Sequence, residues 1–134
     1  MSGGLLVLGV IFVAIAALIH IVIFALESVV WSRPATWKRF GLMSQESADT
    51  VLPMTYNQGF YNVFLALGAG AGIVMIAYAN VQAQGIALSI FVLLNMLLAS
   101  IVLITSNSKL ARAAMTQGVA PLIGLIFLVL SLTL

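Results

Sequence analysis

His20 and Glu27 are the only ionisable side chains in a run from Leu5 to Val30 that is otherwise almost wholly apolar, and either can hold or move a proton. An ionisable group at the centre of a membrane helix costs roughly 2.5–3.5 kcal/mol on insertion scales, so each needs a physical reason to be there. Seven residues separate the two, and at about 100° per residue they fall within about 20° of one line, with Trp31 close to it. One helix face would carry all three. His20 would lie near mid-bilayer and Glu27 about one turn from the helix end, where a capping or snorkelling carboxylate is the plain alternative to an acid or base. For His20 the plain alternative is a hydrogen bond to a neighbouring helix.

Thr55-Tyr56-Asn57-Gln58-Gly59-Phe60-Tyr61-Asn62 is a dense cluster of donors and acceptors opening a second apolar run. Asn57/Tyr61 and Gln58/Asn62 are i,i+4 pairs, and the same face continues through Leu65, Gly68, Ala69 and Gly72. Asn95 lies midway along a third run, level with His20, and Gln117 stands at the start of a fourth. These residues predict a pocket lined by His20, Glu27, Trp31, Asn57, Gln58, Tyr61, Asn62, Asn95 and Gln117, with Glu27 and His20 as its catalytic candidates. Gly68 and Gly72 keep two readings open: a GxxxG spacing for close helix approach, which would also serve a homo-oligomer through that face, or room for a ligand.

The elements that must position these residues follow from composition. The chain has 134 residues, 63% hydrophobic and 6% charged, a balance that suits lipid rather than water as solvent. About 20 apolar residues cross a bilayer, and four runs qualify, at about 5–31, 53–79, 86–105 and 118–134. The reading is one all-α domain, a bundle of four transmembrane helices. Ser32-Arg33-Pro34 ends the first helix, and residues 35–52 mix aromatic and charged groups as an interfacial segment does. Pro53 fits the first turn of the second helix. Small residues at Ala14, Ala16 and Ala17 suggest signal cleavage, but no basic residue precedes them and the run stays apolar beyond.

All five Lys/Arg fall in the first and third connectors, which places those connectors in the cytoplasm and both termini on the far side. Polar groups crowd the cytoplasmic half, so the predicted pocket opens there. The absence of cysteine excludes disulfides, thiolate chemistry and cysteine-held metals. One His and one intramembrane Glu are too few for a metal hydrolase, and a Ser-His-Asp triad would need Asp49 to leave its loop. No cofactor is expected. Five basic groups are too few for a nucleic-acid face, which leaves membrane lipids and a small amphipathic ligand as partners.

The combination of His20, Glu27 and Trp31 with Phe40-Gly41, Asn57-Gln58-Gly59-Phe60-Tyr61-Asn62, Phe64-Leu65-Ala66, Lys109 and Gln117-Gly118 resembles the small bacterial membrane proteins of domain-of-unknown-function family 1304. The resemblance covers most of the chain. It departs at Ala120-Pro121, where the family commonly has Pro-Ala, which shifts the expected start of the fourth helix by a residue. It implies a four-span protein of the bacterial inner membrane and no particular reaction. Three functions therefore stand: binding or processing a small amphipathic molecule, proton-coupled export by analogy with small four-span exporters, or an accessory subunit whose amides serve only packing.

Overall fold

The computed structural model describes residues 1–134. Helix α1 spans Gly3–Phe24 and continues without a break into one wide π-helical turn, Ala25–Val29, that contains Glu27. The backbone leaves the helix at Val30, and Pro34 opens the short α2, Pro34–Trp37. A single 3₁₀ turn, Lys38–Phe40, follows and ends at Gly41, whose φ of 83° is left-handed and suits a residue without a Cβ. This compact segment lies between the first two crossings.

Helix α3 spans Gln45–Ile76 and so starts eight residues before the predicted Pro53, which lies inside it. The Ser44 hydroxyl caps the helix by accepting from the Ser47 N–H at 3.1 Å, and Gln45 donates to the Asp49 carboxylate at 2.8 Å. At 1.5 Å per residue α3 is about 48 Å long, more than the hydrocarbon needs, so its polar first turns project past it. Ser44→Ala is expected to cost about 1 kcal/mol and to speed amide exchange over Gln45–Ala48 while leaving the deeper turns of α3 protected. Helix α4 spans Gln82–Ser106, and Gln82 donates back to the Ile76 carbonyl at 3.1 Å, closing the short turn between them. Helix α5 spans Ala111–Thr133, beginning seven residues before the predicted start because Leu110 to Gln117 is nearly all helical. Asn107 caps the intervening turn by accepting from the Lys109 N–H.

The four long helices form a ring in which α1 and α4 each pack between α3 and α5, and α1 and α4 face each other diagonally. All four are long and apolar enough to cross a bilayer. Only 30 of 134 residues are buried, and large apolar side chains such as Val7, Leu18, Leu67 and Val129 point outward. The protein is therefore a multi-pass integral membrane protein whose outer surface is made for lipid.

Small residues bring the backbones together. A Cβ on Gly85 would lie 2.6 Å from the Ile76 nitrogen and 2.8 Å from the Gly72 carbonyl oxygen, and one on Gly9 would lie 2.6 Å from Leu128 Cδ2. Gly68 faces Val92 and Gly72 faces Ser89. The α3 stripe predicted to receive another helix is thus covered by α4 of the same chain. The core grown around these contacts, with Val13, Ala16, Ala69, Leu93, Met96 and Leu128 at its centre, fills the bundle from mid-depth to the end that carries the two termini.

Candidate functional site

Toward the other end, where the charged connectors lie, the bundle encloses a cavity of about 1210 Å³. All four long helices and both charged connectors contribute to its wall. From α1 come His20, Ile23, Leu26 and Glu27, with Trp31 just beyond; from α3 come Val51, Thr55, Gln58, Asn62 and Leu65. On α3 the spacing of three and four residues is one helix face, so periodicity alone delivers those residues to one side.

His20 lines the cavity at its deepest level and is 2% exposed. Its Nδ1 lies 2.9 Å from the Ala16 carbonyl, which can only accept, so Nδ1 carries a proton and Nε2 is left for the cavity. Glu27 is 6% exposed and accepts from Asn62 Nδ2 at 2.9 Å, a contact between α1 and α3. The π-helical turn accounts for its direction, since one extra residue in the turn rotates the side chains relative to a regular helix. Next to it Ser28 donates to the Tyr56 carbonyl at 2.8 Å, and Gly59 leaves the space that Ser28 occupies.

Trp31 is buried and donates through Nε1 to the Ala48 carbonyl at 3.0 Å, with Phe40 edge-on at 5.1 Å between ring centroids. It ties the connector to the start of α3. Trp31→Phe keeps the packing but leaves that carbonyl without its extra donor; a loss of about 1 kcal/mol is expected, read as faster tryptic cleavage at Lys38 and Arg39. Gln117 lines the cavity from α5, and Pro121 four residues on supplies no N–H to its carbonyl.

Six of the nine residues predicted for the pocket thus meet at one cavity: His20, Glu27, Trp31, Gln58, Asn62 and Gln117. The other three lie away from it. Tyr61 is 63% exposed on the outside of α3, Asn57 is exposed one turn before it, and Asn95 is exposed on α4 with its Nδ2 bonded to the Phe91 carbonyl at 2.8 Å. The two i,i+4 pairs on α3 span too wide an arc for both to face inward. Gln58 and Asn62 take the inner side.

The cavity also gathers Arg39, Lys109 and Arg112, which charge counting assigns to topology alone. Lys109, Arg112 and Thr116 follow one another at three- and four-residue spacing, a signal that becomes legible once Leu110–Gln117 is recognised as helical. No group of three or more His, Cys, Asp or Glu side chains is placed to hold a metal ion. The lining can do two things chemically: receive a molecule with both apolar and polar parts, and exchange protons through Glu27 or His20.

The family model described as "Protein of unknown function (DUF1304)" matches residues 14–129. The chain belongs to the DUF1304 family. No curated protein and no solved structure matched it. The match takes in every cavity-lining residue, so the whole site lies within the part that makes this a DUF1304 chain.

Proposed function

We propose that the protein binds, and through Glu27 and His20 has the means to process, a small amphipathic or lipid-like molecule held in the intramembrane cavity. The charged end faces the cytoplasm of a bacterial inner membrane in this reading, in keeping with the placement of all five Lys/Arg at that end. The observation that carries the proposal is the cavity itself. Its volume of about 1210 Å³ exceeds the ~300–1,000 Å³ typical of small-molecule sites. Its wall is apolar along Ile23, Leu26, Leu65 and Leu103, with polar groups placed between them.

An accessory subunit whose amides serve only packing would have them bonded to neighbouring helices. The side chains of Gln58 and Gln117 instead line an open volume, which favours a ligand. Native mass spectrometry of protein released gently from its own membrane is expected to find a bound small molecule. Ala113→Phe and Leu65→Trp, which fill the cavity, are expected to lose it. A folded Ala113→Phe variant that keeps the same bound mass would sink the reading. Once the molecule is known, Glu27→Gln and His20→Ala are each expected to weaken its retention, read as loss of the bound mass.

A further inference from the structure

We propose that the ligand is a membrane-resident amphiphile with an anionic head group, and that it enters the cavity sideways from the bilayer through the α3–α4 seam. This deepens the binding reading above and rests on it. Along α3 one stripe runs Gly72, Gly68, Leu65, Tyr61, Asn57, and along α4 the facing stripe runs Gly85, Ser89, Val92, Met96, Ala99, Leu103. In the half near the termini the two stripes touch: Gly85 meets the Gly72 carbonyl, and a Cβ on Gly68 would lie 3.1 Å from Val92.

Toward the charged end the same stripes come apart. Tyr61 is 63% exposed, Asn57 and Ala99 are exposed, and Val102 is 64% exposed. Yet Ala99 and Val102 also line the cavity, opposite Gln58 and Asn62. A side chain that belongs at once to the outer surface and to the cavity wall marks an opening between them. Two neighbouring seams are closed at this level. The Ser28–Tyr56 and Asn62–Glu27 hydrogen bonds, at 2.8 and 2.9 Å, hold α1 on α3, and Gly118 seats Ser100 between α4 and α5.

The opening faces hydrocarbon, so what passes through it must be soluble in lipid. Asn57 and Tyr61 flank it on α3, giving a polar head something to bond as it slides past. Arg39, Lys109 and Arg112 share the cavity wall with a single carboxylate, Glu27, which accepts from Asn62 rather than from a cation. Positive-inside topology needs basic residues at this end but does not need them turned into the cavity; Arg33 and Lys38 serve topology without lining it. The excess of cations inside selects an anionic head, a phosphate or carboxylate, with the acyl or isoprenoid part along the apolar wall.

Trp31 lines the cavity and reports its contents once Trp37 is replaced by Phe; Trp37 Nε1 has no hydrogen-bond partner to lose. The Trp37→Phe protein is placed in phosphatidylcholine vesicles that hold a small fraction of brominated-chain lipid, either phosphatidic acid or phosphatidylcholine. Brominated phosphatidic acid is expected to quench Trp31 severalfold more than brominated phosphatidylcholine. Joint Arg39→Gln, Lys109→Gln and Arg112→Gln substitution is expected to reduce it to the phosphatidylcholine level.

The chain has no cysteine, so Tyr61→Cys with Ala99→Cys can be bridged cleanly by a bismaleimide; bridging, but not a single-ended maleimide, is expected to slow quenching severalfold. Equal quenching by the two lipids, unchanged quenching after bridging, or full reversal by millimolar inorganic phosphate would each overturn the inference. If quenching is equal but still lost in Ala113→Phe, the binding reading survives alone. Quenching that ignores Ala113→Phe overturns both.

Discussion

Gly85→Val is expected to break the α3–α4 contact and leave a protein that melts far below the wild type in detergent. The new Cβ would stand 2.6 Å from the Ile76 nitrogen and 2.8 Å from the Gly72 carbonyl oxygen. Both are backbone atoms of a helix, so no side chain can rotate away and the two helices must separate. Overpacking against movable side chains costs about 1–3 kcal/mol, and a clash with backbone belongs at or beyond the top of that range. Separation also exposes the Ser89 hydroxyl, buried and without a hydrogen-bond partner beside Gly72. Gly70→Ala is the control, because its Cβ meets nothing within 4 Å. Alanine there is expected to leave stability equal or raise it by up to about 1 kcal/mol through helix propensity. Circular dichroism melts of the two variants against wild type measure the contrast; similar melting temperatures would show that the glycine contact does not hold the bundle.

The second large effect is expected from Asn62→Leu. Glu27 is 6% exposed, and Asn62 Nδ2 is its hydrogen-bond donor. Removing that donor leaves a buried carboxyl group without a partner, at a cost of about 1–3 kcal/mol or more. Glu27→Leu in the same protein removes the orphaned group and is expected to restore much of the loss. A double-mutant cycle therefore gives a coupling well above the few tenths of a kcal/mol expected for independent sites. Additive losses would mean that the contact carries no energy of its own. The cycle also separates stability from binding, since the double variant is expected to fold while its cavity lacks the acid that the proposed function requires.

These effects come from opposite ends of one design. Near the termini, glycine and alanine let the helices approach closely around the buried core, and that half anchors the fold. Near the charged connectors the helices carry longer polar residues, the ring opens, and a cavity replaces the core. Holding the second half open requires the first to be rigid, which is why a change at Gly85, distant from His20 and Glu27, is expected to disturb both.

Much of this was legible in the chain. The four crossings follow from apolar length, because lipid demands about 20 consecutive apolar residues and satisfied backbone bonds. Periodicity grouped Gln58 with Asn62, since 3.6 residues per turn holds along α3, whereas the direction of Glu27 also depends on a π-helical turn that spacing does not announce. Helix starts were less legible. Pro53 signals a first turn, but Ser44 with Ser47 caps a helix eight residues earlier, and Pro53 lies inside it at the loss of one backbone hydrogen bond.

The membrane class, the number of spans, the family and the polarised distribution of polar groups can all be read along the chain. Each depends on local composition and spacing. The packing of the helices against one another set which polar residues share a space. It turned Asn57, Tyr61 and Asn95 outward, placed Arg39, Lys109 and Arg112 on one cavity wall from two separate connectors, and gave Gly68 and Gly72 to α4 of the same chain. Helical phase fixes directions relative to one axis only; the rotation of each helix against its neighbours is set by where the backbones can approach, and in this bundle glycine decides that.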